Sequence, residues 1–129
     1  MRKSLILDTC TLIWLAKEND MLSSEAIKAI DAAPIVYVSP ISAWEISMSV
    51  TKNKITLPLP PQEWFFKAVE KYTLQLLPLS VEILIKASEL PWHHRDPADR
   101  FIIAGAMLNG LTIVTRDRLF LNYDVPLLS

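Results

Sequence analysis

The sequence predicts an α/β sandwich: a mainly parallel sheet with helices on both faces. Three observations carry that expectation. Short apolar runs alternate with longer stretches of helical spacing, the pattern of strands joined by helical crossovers. The 129 residues are 51% hydrophobic and 21% charged, which suffices for a buried core and is too apolar for a disordered chain. No repeat, low-complexity tract or linker divides them, so residues 1–129 read as one domain.

Ser4 to Leu7 reads as a buried strand that stops at the polar pair Asp8-Thr9. A helix from about Thr11 to Lys17 follows. Ser23 or Ser24 caps a second, with Ala26, Ile27, Ala29 and Ile30 as its apolar stripe, and Pro34 closes it. Ile35 to Val38 is β-branched and strand-like. Ser39-Pro40 opens a third helix to about Thr51, with serine at the cap and proline in the first turn. Residues 53–60 form a proline-punctuated connector, and a helix from about Pro61 to Tyr72 carries Trp64, Phe65, Ala68 and Val69. Leu74 to Leu77 is a third strand, and Ser80 caps a helix through Val81, Leu84, Ile85 and Ala87. Asp96-Pro97-Ala98-Asp99 then starts a helix whose 101–108 stretch has no polar side chain, and Gly110 ends it. Leu111 to Val114 is a strand, and residues 123–127 offer a further edge strand.

Composition removes several functions. The formal net charge is −1, which argues against coating nucleic acid or membrane by charge alone. Two glycines, Gly105 and Gly110, cannot build a phosphate-cradling loop or a dinucleotide fingerprint. There is no G-x-S-x-G elbow, CxxC or HExxH. The lone Cys10 can form no internal disulfide, which fits a reducing compartment. Met1-Arg2-Lys3 and the apolar residues 5–7 and 12–15 have the outline of a signal peptide, but Asp8 interrupts it and no cleavage site follows. With no apolar run long enough for a bilayer, the expectation is a cytoplasmic protein without a membrane partner.

Carboxylates remain. Ligands of open α/β sheets bind beyond the carboxyl ends of the strands, where Asp8 and Asp117 stand, accompanied by Thr9 and Thr115. Each aspartate reads equally as a helix N-cap. Glu45 falls on a helical stripe with Ile41, Trp44 and Met48, where an unpaired charge is costly; the competing face is Ala43, Ile46 and Val50, which leaves Glu45 partly solvated. Asp96 reads as a cap, and Asp99 as either its capping-box partner or a site residue. Converging carboxylates disfavour one another's ionised forms, and a divalent cation removes that conflict. Oxygen ligands without Cys or His point to magnesium or manganese. The adjacent His93 and His94 diverge and read as loop residues. Arg95, Arg100, Arg116 and Arg118 read either as contacts to a phosphate backbone or as solvated surface charge. Trp14, Trp44, Trp64 and Trp92 suit packing or protein contacts better than base stacking.

Leu7-Asp8-Thr9, the helix-borne Glu45 after Ser39-Pro40-Ile41-Ser42, residues 94–100 leading into Phe-Ile-Ile-Ala, and Val114-Thr115-Arg116-Asp117 resemble the PIN-domain ribonucleases. More closely, they resemble the VapC-type toxins of toxin–antitoxin pairs. The resemblance spans nearly the whole chain; no single motif is specific, but their order and spacing are. It implies a PIN-like three-layer α/β/α sandwich with a twisted central sheet. It further implies Mg²⁺ or Mn²⁺ held by Asp8, Glu45, Asp99 and Asp117, with Thr9 and Thr115 in support and Asp96 ambiguous. The implied activity is endonucleolytic hydrolysis of RNA, by a homodimer restrained by a small antitoxin protein. A haloacid-dehalogenase-type phosphotransferase would need an aspartate where Cys10 stands, and a receiver domain would carry its aspartate after a central strand. A non-catalytic PIN-like scaffold that binds RNA or protein is the remaining alternative.

Overall fold

The computed structural model describes residues 3–129; Met1 and Arg2, and with them the basic start of the leader-like stretch, lie outside the described residues. Five strands form one parallel sheet: β1 (Leu5–Leu7), β2 (Val36–Val38), β3 (Gln75–Leu76), β4 (Thr112–Val114) and β5 (Leu127–Leu128), in the order β3-β2-β1-β4-β5. Six α-helices cover it: α1 (Thr9–Lys17), α2 (Ser24–Ala32), α3 (Pro40–Thr51), α4 (Pro61–Lys71), α5 (Val81–Glu89) and α6 (Pro97–Asn109).

The period of two along the central strand makes three layers. Leu5 and Leu7 enter a core with Leu12 and Leu15 of α1, Ala26 and Ile30 of α2, Ile46 of α3, and Trp64 and Phe65 of α4. Ile6, between them, enters a second core with Ile83 and Ala87 of α5, Ile102, Ile103 and Ala106 of α6, and Phe120. Both faces of β1 and β4 are therefore dry, which is why these strands read as continuous apolar runs rather than alternating ones.

The chain builds outward from β1 to β3, then returns through α5 and α6 to place β4 on the other side of β1. The strand order reverses there, so the ends of β1 and β4 flank the crevice where open parallel sheets bind ligands. Their register pairs Leu7 with Val114, which brings the residues immediately following each strand level with each other.

Three helices end in a left-handed residue whose successor donates back into the last turn: Lys54 to Ser49 O (2.8 Å), Leu74 to Val69 O (2.9 Å) and Leu111 to Ala106 O (3.0 Å). Only the last uses glycine, Gly110 at φ 63°; Asn53 and Thr73 adopt φ 59° and 53°. Several boundaries differ from expectation. Helix α1 starts at Thr9 rather than Thr11, because the Asp8 carboxylate caps its first turn. The third strand shrinks to two exposed edge residues, and the last strand lies at Leu127–Leu128, after a 3₁₀ turn at Arg118–Asn122.

Gly105 lets α6 approach α5 and the segment after β3: a Cβ there would stand 3.0 Å from Leu77 Cδ2 and 3.6 Å from Ile83 Cδ1. Gly105→Leu should therefore destabilise the fold by about 1–3 kcal/mol through overpacking. Urea unfolding checks this, and an unchanged midpoint would show that the α5–α6 seam yields freely.

Candidate active site

Asp8 follows β1 and is almost fully buried. Its Oδ1 accepts from Thr11 N (2.8 Å), capping α1, and its Oδ2 accepts from the Thr115 hydroxyl just past β4. Thr11 Oγ1 donates to Val114 O (2.9 Å), tying the start of α1 to the end of β4. The cap and site readings of Asp8 therefore coexist: the hydrogen bond that starts the helix also fixes the carboxylate at the strand ends.

Asp96 caps α6 through Ala98 N (3.0 Å), which sets Asp99 in the first turn. Asp117 caps the 3₁₀ turn through Leu119 N (2.9 Å), and its own N–H donates to Thr115 Oγ1 (3.1 Å). Glu45 reaches the same cleft from beside the competing face of α3, on which Ile46 is buried and Ala43 packs against the same core. The expected stripe of Ile41, Trp44 and Met48 is not the buried face of α3: Trp44 is 57% exposed, while Ser42 and Ile46 are buried. Glu45 stands beside that face and accepts from the Thr9 hydroxyl, which in turn shares a 2.8 Å hydrogen bond with Ser42 Oγ. Thr9 and Thr115 thus orient carboxylates.

These elements bring Asp8, Glu45, Asp96, Asp99 and Asp117 into one cleft of about 330 Å³, with Thr9, Cys10, Trp14 and Arg116 also on its walls. Burial pushes the carboxyl of Asp8 above its usual range, against the hydrogen bonds from Thr115 and Thr11. Burial also raises Glu45, opposed by the Thr9 hydroxyl and reinforced by the charges of Asp96 and Asp8. Asp99 is driven up to about 8 by burial and then by the charges of Asp96, Glu45, Asp8 and Asp117. The Cys10 thiol rises to about 11 through desolvation at the cleft wall and the same acids, so it carries little thiolate at neutral pH.

His94, which the sequence assigned to a loop, does lie in one, yet its ring enters the site. Its Nε2 stands 2.9 Å from Asp117 Oδ2 and 3.1 Å from Asp99 Oδ2, and suitable ligand atoms of these three residues lie within 4.8 Å of one another. The sequence did not single it out, because a histidine in a loop before a helix cap has no periodicity to show which way its ring points. His93 diverges as expected and packs edge-on against Tyr123 (5.3 Å).

Arg100 requires a correction. It is 3% exposed and cannot contact a phosphate backbone. Its guanidinium donates to the carbonyls of Ala87 (2.6 Å), Leu90 (2.7 Å), Pro91 (2.9 Å) and His94 (3.1 Å), under the ring of Trp92. Helix α6, apolar over residues 101–108, is buried on that side, and a long cationic stem suits the free carbonyls at the end of α5. Arg95, Arg116 and Arg118 are exposed; Arg116 lines the cleft, donates to Met21 O (2.8 Å) and lies over Trp14. Of the tryptophans, Trp64 is buried in the core, Trp14 walls the cleft, and Trp44 and Trp92 are largely exposed.

The donor set is one that a hard divalent cation fits: carboxylate oxygens from four separate elements, confined so closely that their ionised forms conflict. A parallel sheet with acids converging at its switch point and no nucleotide loop defines an α/β protein with a carboxylate cleft. The PIN domain profile matches residues 5–126, and the chain belongs to the PIN-domain family. It is 29% identical over 124 residues to Ribonuclease VapC22 of Mycobacterium tuberculosis (strain ATCC 25618 / H37Rv), covering 95% of this chain and 94% of that protein. Its fold resembles that of VapBC2 from Rickettsia felis bound to a DNA fragment from their promoter (TM-score 0.73, 16% identity, 96% of each chain). FitAcB from Neisseria gonorrhoeae is similar (TM-score 0.68, 20% identity, 97% of this chain and 96% of that one). So is a toxin-antitoxin complex from Klebsiella pneumoniae (TM-score 0.66, 21% identity, 97% and 96%).

Two outcomes follow from this geometry. The native state keeps a proton on Asp99 at pH values where the unfolded chain has released it. Stability of the cation-free protein should therefore fall as pH rises from the usual carboxylate value of about 4 through about 8. Asp99→Asn should flatten that decline; melting temperatures in chelator between about pH 5 and about pH 9 test it, and parallel curves would count against it. Arg100→Met strips donors from four carbonyls and should cost at least about 3 kcal/mol in urea unfolding. A loss under about 1 kcal/mol would mean that water replaces the guanidinium.

Proposed function

We propose that this chain is a Mg²⁺- or Mn²⁺-dependent endoribonuclease, the toxin of a toxin–antitoxin pair. The observation that carries the reading is the convergence of Asp8, Glu45, Asp99 and Asp117 on one cleft, three of them held toward their neutral forms. Similarity along the whole chain to a protein named a ribonuclease, and in fold to toxin–antitoxin complexes, supports it.

Asp8 and Asp99 are the principal ligands in this reading, with Glu45 and Asp117 completing the set. The cation, when bound, supplies positive charge that acidifies a water molecule and offsets charge on the phosphate oxygens. Glu45 or Asp117 takes the proton of the attacking water or orients it. Thr9 and Thr115 hold Glu45 and Asp8 in place. Asp96 caps α6 and adds negative charge beside Asp99. Arg116 on the cleft wall, with exposed Arg95 and Arg118 near it in sequence, meets the RNA backbone.

Protein partners follow from a second surface. Trp44, Phe65, Phe66 and Leu76 line an apolar groove of about 370 Å³ between α3 and α4, and Trp44 and Phe66 are more than half exposed. It suits protein contacts, with an antitoxin or in a homodimer. Among the described residues no helix is long and apolar enough to cross a membrane, and the reading places the chain in the cytoplasm.

The test is incubation of purified, partner-free protein with total cellular RNA, in Mg²⁺ or Mn²⁺ and in chelator. Discrete metal-dependent fragments are expected, and Asp8→Asn or Asp99→Asn should lower the rate by about 100-fold or more without unfolding the protein. Cleavage that persists in folded variants would sink the site assignment. A folded wild type that cuts nothing would favour a binding scaffold.

A further inference from the structure

His94 is immobilised on every side. Its N–H donates to Tyr123 Oη (2.8 Å), its carbonyl accepts from Arg100 (3.1 Å), and its ring meets Phe120 edge-on at 5.5 Å. Tyr123 in turn donates to Pro91 O (2.6 Å), so the buried arginine and this tyrosine together fix the loop between α5 and α6.

The ring's hydrogen bonds determine its tautomer. Nδ1 accepts from the Asp96 backbone N–H (3.2 Å), so it carries a lone pair and no proton. The proton of the neutral ring is therefore on Nε2, the atom facing the acids. There Nε2–H donates to Asp117 Oδ2 (2.9 Å) with Asp99 Oδ2 alongside at 3.1 Å. A nitrogen bearing a proton offers no lone pair to a cation, and the other nitrogen is occupied by backbone. Spatial closeness alone would count His94 as a ligand beside Asp99 and Asp117; the hydrogen-bond pattern makes it a donor.

We propose that His94 is a positioning residue whose Nε2–H orients the carboxylates of Asp99 and Asp117 for the cation without binding it. This rests on the acid-cleft reading given under Proposed function. Both oxygens of Asp117 then have fixed partners, Leu119 N and His94 Nε2, and Asp99 keeps Oδ1 for other ligands. Outer hydrogen bonds of this kind fix ligand orientation and typically contribute about 10–100-fold in metal affinity.

The experiment uses the full chain and two readouts. The sequence has two histidines, so His93→Gln assigns the His94 signals. Long-range ¹H–¹⁵N spectra of the wild type, with and without Mg²⁺, should show Nε2–H in both states. A switch to Nδ1–H on Mg²⁺ addition would overturn the proposal and make Nε2 a ligand. Mn²⁺ affinity is then measured by calorimetry without RNA. His94→Ala and His94→Asn should weaken it by about 10–100-fold. His94→Gln, whose amide N–H reaches toward the same carboxylates, should restore most of it. Wild-type affinity in folded His94→Ala, or no rescue by Gln, would also overturn the proposal. Asp99→Asn separates the two readings: if it binds Mn²⁺ as the wild type does, the acid site itself is wrong, whereas if it alone loses binding, only the role of His94 is.

Discussion

Everything at the functional end of this fold depends on holding several carboxylates together out of water. Like charges in a low-dielectric cleft oppose folding, and no lysine or arginine pairs with them among the described residues. Backbone geometry holds them instead. Asp8, Asp96 and Asp117 each cap a helix or a 3₁₀ turn, so each accepts an N–H at the positive end of local structure. Those starts converge because β1 and β4 are adjacent parallel strands in register and the chain reverses its winding between them. Capping, usually a matter of helix stability, is here the device that fixes site geometry.

The second constraint lies behind the cleft. Arg100 is a buried cation with no acid partner, its hydration replaced by peptide carbonyls and by the face of Trp92. Had it paired with Asp99, one sequence position away, the acid would be held ionised and the cleft would lose its conflict of like charges. Turning Arg100 away toward the end of α5 leaves Asp99 facing other acids. The same guanidinium pins the loop carrying His94 and Asp96. Neighbouring residues of α6 thus face the cleft and the buried loop respectively.

The strands and most helices were legible because their signals are local: dry strands read as apolar runs, and serine or Asp-Pro caps stand where the helices begin. Asp8 and Asp117 were legible from position alone, as the residues beyond two strands. Of the two faces the sequence offered for α3, the stripe with Trp44 was the wrong one, since Trp44 faces outward, and the burial of Ser42 beside Ile46 depends on the hydroxyl network with Thr9, a contact 33 residues away. The approach of the His94 ring to the acids and the burial of Arg100 went unread for a related cause. Their environments are set by Asp117, Tyr123 and the end of α5, and nothing in the flanking sequence records a partner that arrives only on folding.

The charge of the cleft also orders its chemistry. Five acids and one arginine line it, while the chain as a whole is near neutrality at −1, so the negative potential is local rather than global. A phosphodiester brought to such walls meets repulsion that Arg116 alone cannot offset. The neutral tendency of Asp8, Glu45 and Asp99 lessens it, but protonated carboxyls are poor ligands and poor bases. A divalent cation resolves both difficulties together: it favours the ionised carboxylates and leaves charge to spare for a phosphate. On these electrostatics the acids that oppose folding are also the ones that a bound divalent cation would hold ionised, and a phosphodiester would meet less repulsion at the cleft once such a cation is in place.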